Sequence, residues 1–479
     1  MTIQHEAANP GTANTDTANT GTANTGTAAA DLADRLRAVF AGGRTRSLEW
    51  REAQLDGLEQ LVVEQEAAIA DAIHADLGRS AHDAWFGEIV GTKGEIEEAR
   101  RGLKRWMKPR RQRMPLLQRP GAAWIQYEPL GAVLVIGPWN YPVFLTLSPL
   151  VSAIAAGNTV CVKPSELAPA TSGLLARLLP LYLDREAITV VEGDGVVTQG
   201  LLAQGFDHAL FTGGTEVGRK ILAGAASTLT PVTLELGGKS PVIVAEDADL
   251  DVTARRLAWI KLMNSGQTCI APDYVLAHSN VKGELVDKLA RYLTEFRSGE
   301  PSGQPIVNSR QFERLAGYLG STKGRPAVGG GFDRASNTIE PTVIVDPEPG
   351  EPMMQEEIFG PILPVLGVED LDAAVAFVNR RPKPLAVYVF SKSKSTARGL
   401  VDQIPAGGAV INHVALHRLI PTLPFGGVGA SGMGTYHGRW GFEEFSHRKS
   451  VLYKPFWMDL DLVYPPYSDR AKALLRRMF

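Results

Sequence analysis

The chain predicts an α/β protein built from two successive units, each a parallel sheet covered by helices. Two observations carry this expectation. Strand-sized apolar runs at residues 132–136, 159–162, 187–191 and 209–211 alternate with helical pattern, as at 172–181, and such alternation marks parallel strands joined by helical crossovers. A second alternating series runs from 241 to about 411, with strands at 242–244, 274–277, 385–390 and 409–411. A length of 479 residues suits two or three domains.

Taken in order, residues 11–30 repeat a five-residue unit, Gly-Thr-Ala-Asn-Thr and close copies. Nothing in it buries apolar surface, so residues 1–30 read as a disordered tail. Helical spacing starts near Asp31 and continues to about 108, through Leu36, Val39 and Phe40, then Leu55, Leu58, Leu61 and Val62, then Ile69, Ile73 and Leu77. The basic stretch 104–113, followed by Pro115 and Pro120, reads as a solvated face or interface rim. Near the end, 445–453 is strand-like and 469–479 suits one short amphipathic helix.

Composition is that of a soluble globular enzyme: 44% hydrophobic, 21% charged, net charge −3. That balance argues against a nucleic-acid partner. Two cysteines allow no disulfide framework, argue against a structural zinc site and fit a reducing cytoplasm. No apolar run approaches the ~18–20 residues that span a bilayer, and the first thirty residues lack the apolar core of a secretory signal.

Cys269 is the most informative residue. It follows Asn264-Ser265-Gly266-Gln267-Thr268, and a thiolate is the strongest side-chain nucleophile near neutral pH. Glu235 lies in Leu234-Glu235-Leu236-Gly237-Gly238-Lys239, a carboxylate placed to act as a base. In Phe211-Thr212-Gly213-Gly214-Thr215-Glu216-Val217-Gly218 a strand enters a glycine pair and then a helix. That geometry aims backbone N–H groups at an anion, although it matches neither the common dinucleotide fingerprint nor the P-loop. An ordinary strand–turn–helix is its other reading. Lys163 and Glu166 fall just past a strand end, where α/β sheets bind ligands; they read as ribose or phosphate holders or as a solvated loop. Cys161 sits inside that strand and reads as core. Asn140, in Gly137-Pro138-Trp139-Asn140-Tyr141-Pro142, is either a turn residue or a donor to a developing oxyanion.

Together with Glu356-Glu357-Ile358-Phe359-Gly360-Pro361, these motifs resemble the NAD(P)-dependent aldehyde dehydrogenase superfamily in order and spacing, from about residue 31 to 465. Ala271-Pro272-Asp273-Tyr274 and Gly432-Met433-Gly434-Thr435-Tyr436-His437-Gly438 are similar to its class 3, fatty-aldehyde and coniferyl-aldehyde branch. Gly214 departs from the serine of many relatives, which puts the details of phosphate binding in question. The resemblance implies a Rossmann-like cofactor domain (31–110 and 130–236), an α/β catalytic domain (237–440), a small β oligomerisation arm (111–129 and 441–465) and a C-terminal tail (466–479).

It also implies that Cys269 attacks an aldehyde, that Asn140 and the Cys269 N–H hold the resulting oxyanion, and that Glu235 activates water against the thioester. Trp139, Lys163, Glu166, Gly213, Gly214, Thr215 and Gly218 would bind cofactor; Glu357 would hold the nicotinamide ribose and Phe359 pack near its ring. NAD is expected first because Glu166 repels a 2′-phosphate, with NADP open. Tyr141, Trp259 and residues 412–417 are candidates for the substrate funnel, while His413, His417 and His437 read as loop hydrogen-bonders rather than metal ligands. A homodimer is expected. The chain ends at Arg476-Arg477-Met478-Phe479 without the apolar anchor of membrane-bound relatives, so a cytoplasmic enzyme with no membrane anchor is expected. The products expected are carboxylic acids of medium- or long-chain or aromatic aldehydes. A CoA-acylating enzyme, which does not rely on a base such as Glu235, and a catalytically silent structural homologue are the alternatives.

Overall fold

A computed structural model of the chain describes residues 17–297 and 304–478. Its first sheet has six strands in the order Gly432–Met433, Val232–Glu235, His208–Thr212, Ala132–Ile136, Thr159–Lys163, Ile188–Val190. All neighbours are parallel except the pair formed by Gly432–Met433. The three central strands are buried along their whole length, which is why they read as continuous apolar runs. Val133, Val135, Val160, Val162 and Leu210 pack with Leu55, Ile96 and Leu147 of the helices on one face. Alternate residues, Leu134, Ile136, Cys161 and Phe211, pack with Leu36, Leu201 and Ile221 on the other. The chain starts this sheet at Ala132–Ile136, winds outward to Ile188–Val190, and resumes on the opposite side at His208–Thr212. The reversal leaves a crevice at the carboxyl ends of Ala132–Ile136 and His208–Thr212, the place where such sheets take a dinucleotide.

The tail expectation needs correction. A helix runs over Thr17–Ala41, so it starts inside the repeat; residues 1–16 lie outside the described residues. Ala29, Leu32, Ala33 and Leu36 seal one face of the first sheet. Once that half is anchored, the costly nucleation step is met, and Ala28-Ala29-Ala30 extends the helix backward at low cost. The repeat has no apolar period, so the pattern was silent about it.

The second sheet has seven strands, in the order Arg325–Val328, Thr342–Val345, Ile362–Val368, Tyr274–His278, Pro241–Val244, Ala386–Phe390, Gly408–Ile411. Only the edge strand Arg325–Val328 is antiparallel to its neighbour. Val242, Val275, Val365 and Tyr388 share one apolar core with Val133 and Val160 of the first sheet, so a single core joins the two units.

The return strand Gly432–Met433 lies within the 237–440 stretch assigned to the catalytic domain, yet it pairs with Val232–Glu235 of the first sheet, Gly432 opposite Glu235. Two residues of backbone pairing leave no apolar signature. The approach also needs glycine: at a φ of 138°, a Cβ on Gly432 would stand 2.0 Å from the Leu234 carbonyl oxygen. A third, antiparallel sheet joins Arg110–Gln112, Ala122–Pro129 and Ser446–Tyr453 in that order.

Candidate active site

The two large sheets meet end to end. Val232–Glu235 ends at its carboxyl edge, the chain turns through 236–240, and Pro241–Val244 opens the second sheet. Cys269 arrives at the same level, in the loop that precedes Tyr274–His278, which pairs Tyr274 with Pro241. The first sheet therefore offers carboxyl ends to this junction and the second offers amino ends.

The Cys269 loop is held under backbone strain. Asn264 and Ser265 have φ of 52° and 51°, and Gly266 follows at 69°. Left-handed backbone costs a non-glycine residue roughly 1–2 kcal/mol, and side-chain hydrogen bonds offset it. Asn264 donates to the carbonyls of Asn140 (2.9 Å) and Gln267 (3.1 Å). Gln267 donates to Asn264 O at 3.1 Å and accepts from Val307 N at 3.0 Å. Gly266 is required on space as well: its Cβ would stand 2.3 Å from the carbonyl oxygen of Gly360.

This network also seats Asn140. Its Nδ2 donates to Gln267 O at 3.2 Å, two residues before the thiol. An amide nitrogen carries two donors, so one remains for an oxygen in the pocket. Tyr141 bonds the residue next to the thiol, hydroxyl to Thr268 Oγ1 at 2.8 Å.

Glu235 is buried, and its Oε1 has no hydrogen-bond partner. Desolvation, then the negative field of Glu444, raises its pKa well above 4.5. Cys269 stays partly exposed, yet burial pushes its thiol up to about 12, with the carboxylates of Glu235 and Glu357 adding to the rise and Arg418 opposing it. The thiol thus needs a base to react at neutral pH, and a carboxylate with raised proton affinity is the neighbour able to serve. Three positions far apart in sequence are thus coupled here: Asn140 bonds the backbone two residues before the thiol, and the Glu235 carboxylate acts on Cys269 through its charge.

Of the expected cofactor residues, Trp139, Lys163, Glu166 and the 213–218 segment fall at the carboxyl ends of strands of the first sheet. Gly213 N donates to Glu235 O at 2.9 Å, tying the glycine turn to the base. Gly214 caps the helix Thr215–Ala226 without a side-chain bond, and a Cβ there would meet nothing within 4 Å. Open space before a helix N-terminus, at the reversal of the sheet, fits a pyrophosphate. Gly218 packs against Leu236, and Thr215 Oγ1 donates to Ala430 O at 3.4 Å. Lys163 is buried at its strand end and donates to the half-exposed Glu166 at 2.7 Å. Trp139 and Phe359 meet edge to face, 5.5 Å between centroids. Phe359 holds a φ of 50°. Glu357 presses on Gly237, where a Cβ would lie 2.1 Å from Oε2. Burial, then Asp273, raises Glu357 to about 8. These residues fit NAD(P).

Trp259 is 38% exposed and lies between Phe86 (6.0 Å) and His413 (6.4 Å); it does not line the cavity that opens on Cys269. That cavity is walled by Tyr141, Phe144, Leu145, Ile270, Phe425 and Tyr436, with Arg418 and His437 beside them. His413 keeps the expected loop hydrogen bond, with Val414 N at 2.8 Å. His437 does not. It is fully buried, stacks on Phe425 at 5.1 Å and sits 3.1 Å from Glu95 Oε1, without hydrogen-bond geometry at either ring nitrogen. Desolvation lowers it to about 3, so it is neutral. Sequence reasoning missed Phe144, Phe425, Tyr436 and Arg418 as wall residues. Tyr436 lay in a quoted motif, and Arg418 followed His417 between Leu416 and Leu419.

A profile of the Aldehyde dehydrogenase family matches residues 4–451. Mouse aldehyde dehydrogenase family 3 member B1 is 45% identical over 451 residues, 93% of this chain and 96% of the relative. Rat "Aldehyde dehydrogenase, dimeric NADP-preferring" is 44% identical over 430 residues, covering 89% and 94%. Among solved structures, substrate-bound AldH of Staphylococcus aureus superposes with TM-score 0.90 at 40% identity, covering 94% of this chain and 99% of that one. A mutant betaine aldehyde dehydrogenase of the same organism, in complex with NAD+, gives 0.82 at 25% identity, covering 90% and 89%.

Proposed function

The chain belongs to the aldehyde dehydrogenase family, as an NAD(P)-dependent enzyme that oxidises an aldehyde to its carboxylic acid, and from that premise we propose what its own residues do. Cys269 gives its proton to Glu235 and adds through sulfur to the aldehyde carbon. The carbonyl electron pair moves to oxygen, where the free Asn140 donor and the Cys269 backbone N–H stabilise it; one such donor contributes ~3 kcal/mol in comparable sites. The returning electron pair expels hydride and leaves a thioester on Cys269. When bound, NAD(P) supplies the hydride acceptor. Glu235 releases the Cys269 proton to solvent and then takes a proton from water as the water oxygen attacks the thioester carbon; the tetrahedral adduct expels the Cys269 sulfur as thiolate, which regains a proton from Glu235.

The observation that carries this reading is the buried Glu235 carboxylate with an unpartnered oxygen in the electrostatic neighbourhood of Cys269. In ¹⁸O-labelled water the acid product should gain one labelled oxygen, and added CoA should leave the product unchanged. Acyl-CoA as the main product would contradict it.

The aliphatic and aromatic walls around Cys269 favour an aldehyde with an apolar body, medium- or long-chain or aromatic. NAD is the preferred nucleotide, because Glu166, a carboxylate at the strand end beside Lys163, suits a ribose 2′-hydroxyl and would repel a 2′-phosphate; NADP is accepted too, in keeping with a relative described as NADP-preferring. The free edge of Ser446–Tyr453 in the small sheet suits pairing with a second copy, and the same relative is described as dimeric. Two free cysteines, without a disulfide, suit a cytoplasmic setting.

A further inference from the structure

Arg418 is the one strongly basic side chain in the wall of the Cys269 cavity. It lies on the short turn Leu416–Leu419, and its guanidinium stands over two rings of that wall, 5.8 Å from the centroid of Tyr141 and 5.4 Å from that of Phe144. Among the described residues its side chain makes no ion pair, and its Nη1 is buried without a hydrogen-bond partner. A buried guanidinium N–H without an acceptor is costly, and two ring faces replace only part of its hydration.

Among the described residues no carboxylate forms an ion pair with it. Glu88 is the nearest in electrostatic terms, but one of its oxygens is held by Arg79 at 2.6 Å and the other accepts from Val143 N (3.2 Å) and Phe144 N (2.7 Å). Glu235 and Glu357 hold their protons more tightly than an ordinary carboxylate. His417 and His437, on either side, are both depressed, to about 4 and about 3, and therefore neutral. The pocket is thus apolar in body and carries one uncompensated positive charge. Tyr141 links the two ends, with its ring under the guanidinium and its hydroxyl on Thr268 beside the thiol.

We propose that Arg418 is a specificity residue for aldehydes that carry a carboxylate at the far end of a short apolar spacer, that is, oxo acids. This rests on the dehydrogenase reading above and narrows it. A guanidinium fork matches a carboxylate with two parallel hydrogen bonds, and a single positive charge balances a monoanion rather than a doubly charged phosphate. The aldehyde end then reaches Cys269 while the carboxylate end supplies the acceptor that Nη1 lacks.

The test uses the full-length enzyme with saturating NAD+ and matched pairs: 6-oxohexanoate against hexanal, and 4-formylbenzoate against benzaldehyde, with a phosphonate-bearing aldehyde as a third arm. In wild type each oxo acid should exceed its neutral partner in kcat/KM by roughly 10- to 100-fold, mainly through KM, the size expected of a charge-assisted hydrogen bond. Added salt should raise KM for the oxo acid alone. Arg418→Met should collapse the ratio toward unity or below, and Arg418→Lys should restore part of it. A ratio taken within one preparation cancels the active fraction, so partial misfolding of a variant does not hide the result. Equal or better use of hexanal by wild type, a ratio unchanged in Arg418→Met, or preference for the phosphonate would overturn the carboxylate site and leave the dehydrogenase standing. No reduced nucleotide from any aldehyde would sink both.

Discussion

Glu88 and Glu235 are both buried and both raised in pKa by loss of water. Glu88 has every oxygen answered, by Arg79 and by two amides at the start of the helix Phe144–Ala156. Glu235 has an oxygen with nothing to accept from. Burial and proton affinity are therefore shared by a group that builds the frame and a group that faces the reacting sulfur. Leftover hydrogen-bonding capacity, next to a strained loop, separates them.

The strongest way to break that contrast is at the sulfur. Cys269→Ala should lower turnover by about 10⁴-fold or more, the usual scale for a lost nucleophile, while nucleotide binding followed by fluorescence survives. Cys161→Ala, inside the first sheet, should keep its activity and cost stability on the order of 1 kcal/mol. Equal losses of turnover in the two variants would erase the distinction. Next come the acids themselves. Glu235→Gln should lower kcat by ~10²–10⁴-fold with an acyl-enzyme visible by mass spectrometry, and should leave the urea midpoint level or higher. Glu88→Gln strands the Arg79 charge in the interior and should lose ~3–5 kcal/mol in the same titration. If Glu235→Gln were the less stable of the two, the assignment of frame and site would be reversed.

A smaller effect follows from Glu95 and Glu357, both raised to about 8. Above an unfolded pKa of 4.5, the folded protein keeps protons that the unfolded chain releases, so each group lowers stability as pH rises toward about 8. The buried histidines His208, His417 and His437 act oppositely, but only below their unfolded value of 6.5. Between about 6.5 and about 8 the histidines no longer contribute; Glu95 and Glu357, with Glu88 and Glu235 also raised by burial, all act in one direction. Lys261, lowered to about 8, opposes them only from there upward, so within the window the melting temperature should fall with rising pH. A melting temperature that climbs across that window in calorimetry would contradict the burial of these acids. The smallest effect is expected at Gly214→Ser. Its side chain enters open space at a helix cap, and the change is worth only a few tenths of a kcal/mol, so NAD+ affinity should shift less than threefold.

The candidate residues were legible as residue types in short strings: a thiol beside small polar residues, a carboxylate before a glycine pair and an amide bracketed by prolines. Their roles came from the resemblance of the whole set of motifs to one family, because Asn140 alone also reads as a turn residue. Buried parallel strands announce themselves through unbroken apolar runs, as at Ala132–Ile136 and Ala386–Phe390. The helix over the repeat, the return strand Gly432–Met433 and the neutral ring of His437 did not, because each is specified by what packs against it rather than by its own neighbours.

By itself the amino-acid sequence determined the two α/β units and singled out a candidate sulfur, amide and acid, since strand burial and reactive-group chemistry are properties of short segments. Only the tertiary structure decided that Glu235 keeps an unanswered oxygen, that Tyr436 and Phe425 wall the cavity and that Arg418 stands over two rings with no ion pair among the described residues. Solvation and pairing depend on atoms brought together from distant parts of the chain, and no local pattern records which partners are left over once the core has closed.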